Sequence, residues 1–197
     1  MPTIAPGIVF LQSRIARFDD PAAYKELYII LYPSLFHFVS SFTKSRQAAE
    51  EIISDVFMKI WVKRSDLEQI KNLQVYCFVM AKNFSINYLE DQKRFTTVNI
   101  DDFEGNIQSE YIDPEQLMIT DQMYLRINHA VNKLPDRCKM VFILVKENGF
   151  KYKEAAEIMH VSIKTVENQL AIALKKISAS INFDLSRTLP VTAGTSN

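Results

Sequence analysis

From Pro21 to Leu89 the apolar positions fall into three stretches at helical spacing. The first, Ala22 to Thr43, carries Leu27, Tyr28, Leu31, Leu35, Phe36, Phe38 and Val39; Pro33 within it predicts a kink or the start of a second helix. The second is the cleanest. Ala49, Ile52, Ile53, Val56, Phe57, Ile60 and Trp61 recur at i, i+3 and i+4, so they form one buried stripe. Glu50, Glu51, Asp55, Lys59 and Lys63 fall elsewhere on that helix. The third stretch, Leu73 to Leu89, buries Leu73, Tyr76, Cys77, Met80, Phe84 and Tyr88 and turns Lys82, Asn83, Ser85 and Asn87 to its polar flanks. Ser65 to Asn72 reads as a polar loop between the last two.

The run from Gly149 to Ile177 predicts two short helices joined by a tight turn. Gly149 can take the left-handed conformation that stops the preceding segment. Tyr152, Ala155, Ala156 and Met159 mark one apolar face, and the two alanines let another helix approach closely. His160 and Val161 make the turn, with Val161 plugging the corner, and Ser162 caps a helix starting at Ile163. Val166, Leu170, Ala173, Leu174 and Ile177 continue the buried stripe. Lys164, Thr165, Glu167, Asn168, Gln169 and Lys175 occupy the other face. Amides and a carboxylate can read base edges there, while cations hold phosphates. An ordinary amphipathic pair with a solvated face would show the stripe without this combination of turn, cap and polar chemistry.

Composition agrees with helices: 197 residues, 48% of them hydrophobic, include only four glycines and seven prolines. No apolar run reaches the length of a membrane span. The patch Ile8 to Leu11 lacks the cations and cleavage site of a signal peptide, so the chain reads as cytoplasmic. Cys77 and Cys138 lie far apart in apolar helical patterns, as reduced packing residues. The net charge of zero hides an uneven distribution. Residues 1–90 carry 10 Lys and Arg against 9 Asp and Glu, residues 91–120 carry 2 against 7, and residues 121–197 carry 11 against 7. Two weakly basic blocks therefore flank an acidic connector, with Asp101, Asp102, Glu104, Glu110, Asp113 and Glu115, which reads as a flexible linker.

Catalytic chemistry finds no foothold. His37, His129 and His160 are scattered without metal-ligand spacing. Glu51 and Asp55 share a helix face, which reads as solvated rather than as an acid–base pair. There is no phosphate-cradling glycine loop and no serine elbow. No enzyme, cofactor, metal site or small-molecule substrate is expected.

Four segments in order carry a family resemblance: A-E-E-I-I-S-D-V-F-M-K-I-W (49–61), N-L-Q-V-Y-C-F-V-M-A-K-N (72–83), L-P-D-R-C-K-M-V-F-I-L (134–144) and K-E-A-A-E-I-M-H-V-S-I-K-T-V-E-N (153–168). Together they resemble sigma factors of the extracytoplasmic-function (ECF) group, and the K-T-V-E-N-Q-L-A-I-A-L-K-K wording resembles the FecI-like branch. The resemblance implies an all-α fold of two small helical domains. Residues 20–95 would be region 2, which binds polymerase and the −10 element; 96–120 the acidic linker; and 121–182 region 4, whose helix-turn-helix reads the −35 element. Residues 1–19 and 183–197 are expected to be flexible ends.

The implied partners are promoter DNA, core RNA polymerase through its β′ coiled coil and β flap, and a FecR-like, membrane-anchored anti-sigma factor. Glu50, Glu51 and Asp55 would be the charged contacts to the coiled coil, with Ser54 where the family often has Gln. Asp66, Gln69 and Asn72 would supply hydrogen bonds to a flipped −10 base, and Lys82 and Asn83 would meet the −10 strand. Lys164, Thr165, Glu167, Asn168, Ala171, Lys175 and Lys176 would form the −35 surface. Ile172 stands where the family often has arginine.

Two other readings stay open on the residues alone. A LuxR-type helix-turn-helix regulator shares the S-x-x-T-V pattern of Ser162 to Val166 but leaves residues 49–89 without a role. A helical adaptor that binds only protein would leave the polar face of the second turn helix unused.

Overall fold

Helix start and stop signals set the frame of the computed structural model, which describes residues 6–96 and 120–188. Asp20 caps the helix that follows it, its carboxylate accepting from the N–H groups of Ala22 at 2.9 Å and Ala23 at 3.1 Å. Ser45 caps the next through Ala48 N–H, and Asn72 caps a third through Val75 N–H. The resulting helices are α1 (Pro6–Phe18), α2 (Pro21–Thr43), α3 (Arg46–Val62), α4 (Leu73–Thr96), α5 (Thr120–Asn132), α6 (Asp136–Phe142), α7 (Tyr152–Met159) and α8 (Ile163–Thr188). A 3₁₀ turn, Arg64–Gln69, lies between α3 and α4, and a π-helical turn, Ile143–Glu147, extends α6. No strand occurs among the described residues.

Several sequence expectations are corrected here. Of the expected flexible end 1–19, the described residues 6–18 are helical: α1 buries Ile8, Leu11 and Ile15, spaced as one helix face, against the first block. Nor is 183–197 wholly a tail, since α8 continues to Thr188. Pro33 neither stops α2 nor starts a new helix. It sits exposed while Leu27, Leu31, Leu35 and Phe38 are buried on both sides of it. At roughly 1.5–3 kcal/mol each, those four side chains outweigh the approximately 3 kcal/mol cost of an internal proline. The polar loop 65–72 is mostly the 3₁₀ turn, anchored by fully buried Leu67. The acidic linker falls mainly on residues 97–119, outside the described residues.

One core runs through both blocks. Phe78 of α4 is its hinge-pin, with its ring 5.1 Å from that of Phe38 in α2 and 4.9 Å, edge-on, from that of Phe150 just before α7. Around it pack Val75 and Ala81 from α4 and Leu144, Ala155 and Ile158 from the second block. Because α4 is buried on two sides, a single-stripe reading misses Val75, Phe78 and Ala81. Ser85, expected on a polar flank, is also fully buried, its hydroxyl donating to Ala81 O at 2.7 Å. Two polar links span the blocks: His37 Nε2 to Glu147 Oε2 at 2.8 Å, and Asn72 Nδ2 to Glu154 Oε1 at 3.1 Å.

A smaller cluster of Ala130, Val131, Leu134, Cys138, Ala173 and Ile177 ties α5 and α6 to α8. Both cysteines are free and buried, and burial pushes the Cys77 thiol up to about 12.

Candidate nucleic-acid and partner interfaces

The turn before α8 follows the sequence closely. Gly149 has φ 69°, and Phe150 N–H donates back to Leu144 O at 3.0 Å, closing the preceding helical segment. His160 takes the left-handed conformation (φ 53°), and Val161 N–H returns to Ala156 O at 3.0 Å. Ser162 Oγ accepts from Thr165 N–H at 3.0 Å, so α8 starts where predicted. Thr165 is thereby partly committed, since its hydroxyl lies 2.8 Å from that of Ser162.

Val166, Leu170, Ala173 and Ile177 are buried, and the opposite face of α8 is open. Lys164, Asn168, Ala171 and Lys175 occupy it at i, i+4, i+7 and i+11, all exposed, with Ile172 and Lys176 beside them. Glu167 stands at the flank, half-buried, 3.1 Å from Lys164 Nζ through Oε2. Three neighbours depart from expectation. Leu174 is exposed and so is Tyr152, because the apolar faces of α7 and α8 are narrower than their sequence stripes. Gln169 turns inward, its Oε1 accepting from Cys138 Sγ at 2.8 Å.

The second candidate surface is the 3₁₀ turn and the start of α4. Asp66 and Gln69 are exposed on the turn. Asn72 stands beside them but is occupied twice, by its own helix cap and by Glu154 of α7. Glu154 also accepts from Lys151 N–H at 2.8 Å, so the N-terminus of α7 and the turn share one carboxylate. Gln69, Ile70, Lys71, Asn72, Tyr76, Val79 and Glu157 line a cleft of about 410 Å³ between the blocks. Asn83 is exposed further along α4, in line with Tyr76 and Val79 at i+7 and i+4. Lys82 does not join it. It is 8% exposed, on the strip of Val75 and Phe78, and burial lowers its ammonium below the usual lysine range. Its predicted flank position is corrected by the second packed face of α4.

The third surface lies on α3. Glu51 and Asp55 are exposed, as the stripe required, while Glu50 is half-buried and accepts from Arg46 Nε at 2.9 Å. The structure adds Met58 and Val62, 62% and 69% exposed and at i+7 and i+11 from Glu51. They leave an apolar pair in solvent beside the two carboxylates. The signal was present in the sequence, as apolar residues off the buried stripe.

Comparison with known proteins divides the chain in the same way. The family model for Sigma-70 region 2 matches residues 27–95, and that for Sigma-70 region 4 matches residues 124–177. The chain is 24% identical over 157 residues to the ECF RNA polymerase sigma factor SigM of Bacillus subtilis, spanning 80% of this chain and 94% of that protein. It is 22% identical over 169 residues to the ECF RNA polymerase sigma-E factor of Escherichia coli, spanning 82% and 88%. Its fold is similar to the sigma factor RpoE from Bartonella quintana, solved in complex with the anti-sigma factor NepR: TM-score 0.67 at 22% identity, covering 82% of this chain and 98% of that one. It is also similar to CnrH, solved in complex with the cytosolic domain of CnrY: TM-score 0.60 at 19% identity, covering 90% and 99%.

Proposed function

The chain belongs to the sigma-70 family, in its ECF group, and directs promoter-specific transcription initiation; from that premise we propose how its surfaces divide the work. The exposed strip of α8 reads the −35 element. Asn168 pairs with an adenine edge, Ala171 lies against a thymine methyl, and Lys164, Lys175 and Lys176 engage phosphates, with Glu167 available to a cytosine amine. The observation that carries this assignment is the clean opposition on α8 between four buried apolar residues and four exposed ones able to enter a major groove.

Asp66, Gln69 and Asn72 hold an unstacked −10 base, and Asn83 meets the strand leaving it. Lys82 contributes once its covering face is released. Glu51 and Asp55, flanked by Met58 and Val62, dock on the β′ coiled coil, and region 4 docks on the β flap. The protein acts in the cytoplasm as a non-enzymatic initiation factor.

Two promoter elements two helical turns apart lie about 70 Å from one another. The chain at α4 and the chain at α7 touch through Asn72–Glu154 and Phe78–Phe150, with Asn72 just before α4 and Phe150 just before α7, so both elements can be read together only after the blocks part. This arrangement favours a closed free protein that core polymerase opens. That two related folds were solved with anti-sigma partners supports such a partner here as well. A FecR-like, membrane-anchored one is our reading from the FecI-like wording of α8.

The decisive experiment mixes the purified chain with core polymerase on a promoter library. Promoter-specific transcripts that require this chain are expected. Site-specific DNA binding without core, and no transcripts with it, would overturn the assignment.

A further inference from the structure

The 3₁₀ turn is a strained way to present a reading surface. It runs for six residues, Arg64–Gln69, whereas such helices rarely exceed three or four because their hydrogen bonds are poorly aligned. Something outside the turn must hold it, and α1 does. Gln12, only 8% exposed, directs its amide nitrogen at the turn's backbone. Nε2 donates to Leu67 O at 2.5 Å and to Ile70 O at 2.8 Å. A primary amide nitrogen has two N–H groups, and both are used here on carbonyls three residues apart.

Those two carbonyls bracket Gln69, with Asp66 just before them and Asn72 just after. Leu67 O also receives Ile70 N–H at 3.0 Å, so the carbonyl that closes the turn is the one Gln12 holds. Two surface ion pairs clasp the same junction: Arg17 with Glu68, and Arg64 with Asp19. Ile8, Leu11 and Ile15 anchor α1 beneath it.

We infer that α1 is a positioning element for −10 recognition, with Gln12 setting the spacing of Asp66, Gln69 and Asn72. Gln12 touches no DNA; it acts through the backbone of the turn. A reading constellation must be held within about 0.5 Å of its productive geometry, and two hydrogen bonds to its backbone do that where loop packing alone does not. The inference rests on the proposed use of this turn at the −10 element.

The test uses holoenzyme reconstituted with the full chain and a promoter panel carrying single −10 and −35 substitutions. Gln12→Met keeps the length and packing of the side chain and removes both donors. It should form holoenzyme normally and compress discrimination at one or two −10 positions by about 3–10-fold, leaving −35 discrimination unchanged. Arg17→Ala, an exposed change with no core to lose, should move the same positions by about 2-fold and decides the matter if Gln12→Met does not fold. Gln69→Ala and Asp66→Ala run alongside. If they shift the −10 profile and the α1 variants do not, α1 does not position the turn. An equal loss at −10 and −35 would likewise reduce Gln12 to general stability. If Gln69→Ala and Asp66→Ala also leave the −10 profile untouched, the turn is not the reading element and the inference falls with it.

Discussion

The two proposed DNA surfaces are built on opposite plans. The α8 strip is a regular helix whose reading side chains stand in solvent, positioned by four buried residues on its own far side. The proposed −10 turn buries only Leu67 of its own; α1 holds it from below, and α7 meets the chain at Asn72, just beyond its end. A helix face carries its geometry in its own 3.6-residue period, whereas an irregular turn borrows geometry from elements distant in sequence. The α8 strip should therefore tolerate change elsewhere in the molecule, and the turn should not.

The most severe challenge to that contrast is the core residue common to both blocks. Phe78→Ala removes the ring that meets both Phe38 and Phe150 and should cost about 3–5 kcal/mol of stability in urea unfolding. Phe150→Ala should cost less, because Phe38 and Phe78 still pack on each other. If the two substitutions cost the same, the blocks do not depend on Phe78 in the way described.

Next in size is the helix face itself. Asn168→Ala should cost about 1–3 kcal/mol on the preferred −35 sequence and relax choice at one position. Lys176→Ala should weaken all sequences alike and lower the salt slope by about one. Glu167→Ala should behave differently from both. Its carboxylate pairs with Lys164, so its loss frees a cation, and affinity should become less selective without becoming weaker. Binding isotherms on a −35 substitution panel at two salt concentrations separate the three.

The polymerase strip tests whether a surface on a regular helix is also independent of the turn. Reversing Glu51 and Asp55 to Lys should weaken core binding by more than about 1 kcal/mol, with helix content and −35 duplex affinity unchanged. Met58→Ser with Val62→Ser should slow nothing in association but speed dissociation, since apolar contacts hold and charges steer. Core affinity equal to wild type in both variants would remove α3 from the interface.

This contrast also explains what the sequence disclosed. α3, the turn at His160 and the start of α8 were legible because each depends on a local signal: a one-sided stripe, a left-handed residue, a serine cap. α4 was half legible, because Val75, Phe78 and Ala81 answer to a second packed face that single-stripe periodicity cannot separate from the first. Lys82 and Ser85 were misplaced for the same reason. α1 was missed because its three buried residues make sense only against helices that follow it. Asn72 was read as a polar residue of the loop, but sequence has no means of pairing it with Glu154, 82 positions away.

That pair gives the smallest and most informative prediction. A single hydrogen bond between partly buried side chains contributes about 0.5–1.5 kcal/mol, and here it links the end of the turn segment to the block proposed to part when both promoter elements are read. Glu154→Ala should lower stability by that amount plus about as much again for the lost bond from Lys151 N–H, while Asn72 keeps its cap bond to Val75 N–H and turns its freed amide toward the open cleft. The same change should favour the parted form of the free protein by up to about tenfold, since 1.4 kcal/mol is a factor of ten in population. A distance label on α4 and another on α7 would report it as a longer mean separation without core polymerase, together with faster formation of the open complex when core is added. Glu157→Ala is the control, because it lines the cleft without forming the Asn72 bond. If Glu154→Ala destabilises the chain while the label separation stays that of wild type, the contact is only a strut, and the turn's dependence on distant elements reduces to its support by α1.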